Sequence, residues 1–420
     1  MALTRENYKS RLIDEKIRKH LRIFGAVLVE GPKWCGKTWT VLNHANSVAY
    51  LMDKNTRALA ELDLSSALSG EAPHAIDEWQ ELPAIWDMVR HSVDQTTRKG
   101  RFLLTGSVTP PEEGIFHSGT GRISRIRMRT MTLYEAGKST GEVRLSDILE
   151  GKEIKPGLSA CKPIDLTTLA CVGGWPGNLG LDTGDAIEIP KEYLASIINT
   201  KTSSGKKRIR NTQNFSFLMA SIARSHASLI TNSTLHNEVQ SASGEFSGDA
   251  LTSYLEILRE QFVLEEIPGW NPRIRSKSRL LTSPKRIFTD PSIAAAVQGA
   301  SPEHYLRDLQ AFGGIFEGLC LRDLNVYAEI NDAKLYYYRD NSNLEVDAIF
   351  EFPNSKWAAF EIKLGEREAA NGVKSLLRLK EKMLEAGYIP PCSLVVITGG
   401  GIAQKREDGV YIVPIDMLCP

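Results

Sequence analysis

The spacing of apolar residues changes along the chain, and the changes mark elements. A short apolar run at residues 27–30 reads as a buried strand. A Gly-rich turn follows, then a helix through residues 38–43. Residues 84–93 carry helical periodicity, and residues 101–104 form a second short buried strand. Strands alternating with helices over residues 1–140 predict an α/β nucleotide-binding domain. Gly- and polar-rich stretches at 151–157 and 173–184 flank a short helical unit, so residues 141–210 read as a helical connector. Residues 215–223, 231–239 and 247–260 predict three helices, with an apolar strand at 262–264. In the last part, a helix is expected at 311–324. Extended segments follow at 334–339, 345–352 and 357–364, then a charged helix at 374–385 and a buried strand at 394–398. The expected division is therefore 1–140, 141–210, 211–300 and 301–420.

The turn after the first strand carries the most specific chemistry. Gly31-Pro32-Lys33-Trp34-Cys35-Gly36-Lys37-Thr38 matches G-x-x-x-x-G-K-[ST] between a strand and a helix. Glycines allow backbone N–H groups to wrap phosphates, and the helix N-terminus favours negative charge. Lys37 is expected at the β/γ-phosphates of ATP and the Thr38 hydroxyl on Mg²⁺. Asp77 and Glu78 end a short apolar stretch. They are the candidates for holding Mg²⁺ and polarising water, respectively. The segment Arg101-Phe102-Leu103-Leu104-Thr105-Gly106-Ser107 reads as a strand whose C-terminal Thr105 or Ser107 senses the γ-phosphate. Arg122 has two readings, stabilising transition-state charge or an ordinary surface role. Arg125, Arg127 and Arg129 alternate on one strand face and read as a solvated edge.

Two further constellations stand apart. Arg273, Arg275, Lys277, Arg279, Lys285 and Arg286 fall in one acid-free stretch, suited to phosphate contact as a basic wing. Residues 345–352 and 357–364 both have apolar even positions. If the even faces share one side, Asp347, Glu361 and Lys363 share the other across a hairpin. Asp with Glu-x-Lys on paired strands is a metal-nuclease arrangement, in which acids hold Mg²⁺ and lysine orients or deprotonates water. A solvated charged hairpin face is the competing reading.

Composition narrows the class. The 420 residues include 51 Lys plus Arg and 51 Asp plus Glu, so a polybasic protein is not expected. No apolar run reaches the roughly 18 residues of a spanning helix. The opening MALTRENYKSRLIDEKIRKH lacks the apolar core of a secretory leader. Six scattered cysteines without a CxxC pair fit reduced thiols, and a cytoplasmic location is expected. Cys35, beside a helix start, is expected to be reactive if exposed.

The series GPKWCGKT, IDEWQELPAIWD, RFLLTGS, GTGR and LYEAG, with GGWPG and SPKRIFTD downstream, resembles bacterial and archaeal AAA-type ATPases carrying a C-terminal domain of unknown function of the DUF4143 kind. The resemblance implies an α/β chain with a P-loop AAA-type ATPase domain, a winged-helix middle domain and a restriction-endonuclease-like C-terminal domain. Glu317, on the preceding helix, resembles that family's additional metal-site acid. The expected function is Mg²⁺-dependent ATP hydrolysis by a nucleotide switch acting on nucleic acid, as DNA, with a nuclease-like effector. An ATP-gated protein-interaction module with a catalytically silent C-terminal domain is the alternative. A homo-oligomer is possible, and no membrane partner is expected.

Overall fold

A computed structural model describes residues 8–108, 119–199, 209–273 and 282–420. Among the described residues two compact units emerge, the first comprising those up to Thr130 together with Glu256–Val263, and the second the other described residues.

The first unit is built on five parallel strands: β1 (Ala26–Glu30), β2 (Ser47–Tyr50), β3 (His74–Asp77), β4 (Phe102–Gly106) and β5 (Ile123–Arg127), ordered β2-β3-β4-β1-β5. A strand covered on both faces needs apolar residues at every position rather than at alternate ones. AVLVE in β1 satisfies this. Ala26 and Leu28 pack on one face with Ile76, Trp79 and Trp86, while Val27 and Val29 pack on the other with Val41, Ala75 and Ile126. The N-terminal helix Asp14–Ile23 joins the second face through Ile17. It is pinned by Asp14, which pairs with His44 at 2.8 Å and accepts the Tyr8 hydroxyl at 2.8 Å.

The second unit carries the remaining strands. These are β6 (Val143–Arg144), β7 (Gly157–Leu158), β8 (Leu264–Ile267), β9 (Lys285–Phe288), β10 (Lys334–Arg339), β11 (Glu345–Glu351), β12 (Trp357–Lys363), β13 (Ser393–Thr398), β14 (Ile402–Lys405), β15 (Tyr411–Pro414) and β16 (Leu418–Cys419). The order β10-β11-β12-β13-β15-β14-β7 forms one mixed sheet, and β16 pairs with β6. Residues 141–210, expected as a connector, thus supply an edge strand and a short pairing partner to C-terminal elements. The helix Glu366–Glu385 joins β12 to the parallel β13. Its Ala369, Val373, Leu376, Leu379 and Met383 recur at helical spacing and pack on Ile349, Trp357, Ala359 and Val396.

Three helices, Thr212–Arg224, Asn232–Ser243 and Gly248–Glu260, precede the antiparallel β8–β9 pair. The apolar strand expected at 262–264 instead begins at Leu264, because Phe262 turns through a left-handed φ of 60°. Among the described residues, no helix is long and apolar enough to cross a membrane.

Candidate functional site

Parallel strands leave their C-terminal ends as a row of turns, where ligands bind. The loop 31–36 leaves β1 at that end. Gly31 donates its N–H to the carbonyl of Gly106 at the end of β4. A Cβ at Gly31 would lie 2.1 Å from the Met128 carbonyl oxygen, so only glycine fits. Gly36, with φ 98°, turns the chain into the helix Lys37–His44. Arg11 braces the loop from the N-terminal segment, donating to the Cys35 carbonyl at 2.8 Å; no sequence motif announces it. The Lys37 ammonium is buried and donates to the carbonyls of Gly31 (3.0 Å) and Pro32 (2.8 Å). Pro32, Lys33 and Trp34 complete the loop, and Trp34 is half exposed at a left-handed φ of 65°. Cys35 is fully buried with Ile17, Val41 and Met128. The exposure on which the expected reactivity depends is not met: the loop turns Cys35 into the apolar core.

The candidate acids sit beside this loop. Thr38 donates its hydroxyl to Asp77 Oδ1 at 2.8 Å, and Thr105 donates to the same oxygen at 2.7 Å. Burial raises the Asp77 pKa, and the two hydroxyls oppose that effect without cancelling it. Glu78 adopts a left-handed φ of 54°, and its N–H donates to Thr105 Oγ1 at 2.8 Å. Its carboxylate accepts the Ser107 hydroxyl at 2.8 Å and the Gln80 amide. Thr105 and Ser107 therefore hold the two acids, and Gln80 is a holding residue that sequence spacing did not reveal. A hydroxyl and a carboxylate in mutual contact beside a phosphate loop are a donor set that fits Mg²⁺.

Arg122 lies elsewhere. Its carbonyl accepts the N–H of Ala26 at the start of β1, and its guanidinium pairs with Asp94 at 2.8 Å. Phosphate loop and Arg122 thus sit at opposite ends of β1, whose five residues span about 13 Å. That placement keeps Arg122 away from its own chain's phosphate loop, and its pair with Asp94 is the surface role weighed against the transition-state one. Arg125 is exposed, but it lies over the Trp86 ring and Arg127 over the Phe262 ring, so the expected solvated edge is partly a packed one.

In the second unit, the hairpin register pairs odd with odd positions, as in Ile349 with Ala359 and Glu351 with Trp357. Asp347, Glu361 and Lys363 converge. Asp347 Oδ2 accepts the Ile362 N–H at 2.8 Å and lies 3.1 Å from Lys363 Nζ, and Lys363 also pairs with Glu361. A β-bulge assists, because Tyr336 opposes Ile349 while Tyr338 opposes Val346, leaving Asp347 and Ala348 together opposite Tyr337. The charged face is not solvated: a Cβ at Gly372, on the helix Glu366–Glu385, would lie 3.2 Å from Glu361 Cβ.

Glu317, on the helix Leu309–Ile330, reaches the cluster through Lys285, 2.6 Å away. Burial, joined by the charge of Asp347, raises the Glu361 pKa. For Asp347, burial is outweighed by Lys285 and Lys363, and the pKa falls. Burial also raises the Glu317 pKa, against the pull of Lys285. Among the described residues, no group of three His, Cys, Asp or Glu side chains is placed to hold a metal ion. The metal expected on Glu317, Asp347 and Glu361 is thus at odds with the arrangement, which ammonium groups fill.

The basic wing is corrected in part. Lys285 and Arg286 are buried in β9, with Arg286 paired to Glu266 at 2.9 Å and donating to Asn232 at 2.6 Å. Both read as wing cations because their carboxylate partners are remote in sequence. Arg273 donates to the Tyr388 hydroxyl at 2.9 Å, and Arg275, Lys277 and Arg279 lie outside the described residues. The motifs GGWPG and SPKRIFTD meet each other. Gly174 N–H donates to Asp290 at 2.9 Å, and Trp175 Nε1 donates to Ser292 at 2.9 Å.

Residues 24–137 match the model of an AAA domain, residues 164–304 that of a domain of unknown function (DUF8612), and residues 312–418 that of another (DUF4143). Two uncharacterized proteins, Rv2008c of Mycobacterium tuberculosis and Mb2031c of Mycobacterium bovis, are each 23% identical over 410 residues, covering 96% of this chain and 83% of theirs. The Walker-type ATPase of Pyrococcus abyssi is similar at 12% identity and TM-score 0.45, over 70% of this chain and 97% of that one. The RuvB Holliday junction branch migration motor of Thermotoga maritima is similar at 16% identity and TM-score 0.27, over 69% and 94%. The chain combines an AAA-type P-loop ATPase domain with a C-terminal DUF4143 domain.

Proposed function

We propose that the chain is a Mg²⁺-dependent ATP hydrolase working as a nucleotide switch, with its C-terminal part engaging a macromolecular partner. One observation carries the reading: the Thr105 hydroxyl joins Asp77 to the backbone of Glu78 beside the loop bearing Lys37 and Thr38. Loop N–H groups and the Lys37 ammonium bind the phosphates of ATP. Thr38 and Asp77 hold Mg²⁺, which when bound draws charge from the phosphate oxygens. Glu78, fixed by Ser107 and Gln80, orients the water and takes its proton. Arg122, paired with Asp94, serves structure within its own chain; a role at a nucleotide belongs to a second copy in a homo-oligomer. The test is phosphate release by the full chain with ATP and Mg²⁺, where no release, or release that Lys37→Ala leaves unchanged, overturns the reading.

Nucleic acid is the first partner to test. Arg273 is exposed, and Arg275, Lys277 and Arg279 extend the same acid-free stretch. Phosphate contacts of that kind give DNA affinity that falls steeply with salt. A second reading, an ATP-gated protein-interaction module, is favoured by the burial of Lys285 and Arg286, which removes two of the six expected wing cations. Salt-insensitive or absent DNA binding by the full chain decides for it.

A further inference from the structure

An ammonium group buried among carboxylates is tolerated only when its partners are close and well placed. Lys285 meets that condition. Its side chain is 1% exposed, and Nζ lies 2.6 Å from Glu317 Oε1 and 3.7 Å from both Asp347 Oδ1 and Glu345 Oε1. On the opposite side, Asp347 Oδ2 is committed to the Ile362 N–H and to Lys363. Both oxygens of the central carboxylate therefore face cations or donors. The acids converge as a metal-nuclease hairpin needs, yet the space between Glu317 and Asp347 belongs to an ammonium delivered from β9.

We infer that Lys285 is the resident cation of this hairpin, standing where a divalent metal would otherwise stand. The C-terminal domain then binds no Mg²⁺ at these acids and does not cut nucleic acid through them. A dication entering this buried space would meet two fixed ammonium groups, and repulsion in a low-dielectric interior opposes it. The same contacts give Lys285 a structural task, because it ties β9 to the helix Leu309–Ile330 and to β11. This inference does not rest on the ATPase reading, since every residue in it lies in the second compact unit.

The experiment is Mn²⁺ binding to the full chain without nucleotide, read by the electron paramagnetic signal of free Mn²⁺ and by thermal unfolding. Wild type, Asp347→Asn and Glu361→Gln are expected to bind the same amount of Mn²⁺. Lys285→Ala is expected to melt lower, to take up one additional Mn²⁺ per chain, and to recover melting temperature with it. Adding Asp347→Asn to Lys285→Ala should remove both gains. Mn²⁺ binding by wild type that either isosteric variant abolishes overturns the inference. So does a folded Lys285→Ala chain that takes up no extra metal. Should Lys285→Ala fail to fold, the comparison of wild type with the two isosteric variants decides alone. Phosphate release is not measured here, so failure of the ATPase reading leaves this result intact.

Discussion

The hydroxyl of Thr38 donates to Asp77 Oδ1 at 2.8 Å, joining the first turn of the helix after the phosphate loop to the end of a strand on the far side of β4. The contact fixes the Thr38 hydroxyl and the Asp77 carboxylate relative to each other and to the loop. It also orders the expected effects of substitutions around it.

Lys37→Ala is expected to abolish ATP hydrolysis and weaken ATP binding, because the ammonium that neutralises phosphate charge is removed. Glu78→Gln should keep ATP binding within a few-fold while turnover falls by roughly 10²–10⁴, the range for loss of a general base. Equilibrium binding of a fluorescent ATP analogue and steady-state phosphate release separate the two effects. Normal turnover by Glu78→Gln assigns the water to another residue.

Thr105→Val keeps shape but loses the donor to Asp77 and the acceptor for the Glu78 N–H. The bond to the Asp77 carboxylate contributes about 1.5–3 kcal/mol and the neutral one about 0.5–1.5 kcal/mol. Turnover should fall at least tenfold, with ATP affinity less affected. A variant that loses affinity and turnover equally would show that Thr105 only supports the loop.

Cys35 should resist alkylation in the folded chain whether or not ATP is present, because its thiol is fully buried. Mass-spectrometric mapping after timed labelling checks this. Rapid native labelling that ATP blocks would mean the thiol faces the nucleotide.

His226 gives the chain an acid-sensitive component. Burial pushes its pKa down to about 4, only partly opposed by the charge of Asp290, and Phe288 N–H donates to Nδ1 at 3.4 Å. The unfolded chain, with a histidine pKa of about 6.5, binds the proton first as pH falls. The stabilisation is thus complete above about 6.5 and is lost as pH falls toward 4, at no more than about 1.4 kcal/mol per pH unit. Melting temperatures between those limits should fall less steeply with acid for His226→Asn than for wild type. Equal slopes would place the acid sensitivity elsewhere.

The sequence by itself determined the features whose parts are neighbours in the chain. The phosphate loop was legible because strand, glycines, Lys37 and Thr38 follow one another, so local backbone geometry decides their arrangement. Convergence of Asp347 with Glu361 and Lys363 was legible for the same reason: a short hairpin has few registers, and apolar alternation selects one. The bulge at Asp347 and the helix covering that face were not legible, since neither leaves a mark on alternation.

Only the tertiary structure decided what the charges do. Lys285 and Arg286 look the same in sequence as Arg273, yet they are interior cations because β9 packs where Glu317 and Glu266 meet them. Lys285 and Glu317 are 32 residues apart, and Arg286 and Glu266 are 20 apart. The two readings of Arg122 stay open in the sequence for a related reason: proximity to a strand says nothing about which end of the sheet a residue occupies until the register is known. A charge becomes a ligand for solvent, phosphate or another side chain only through long-range packing, and that packing has no local signature.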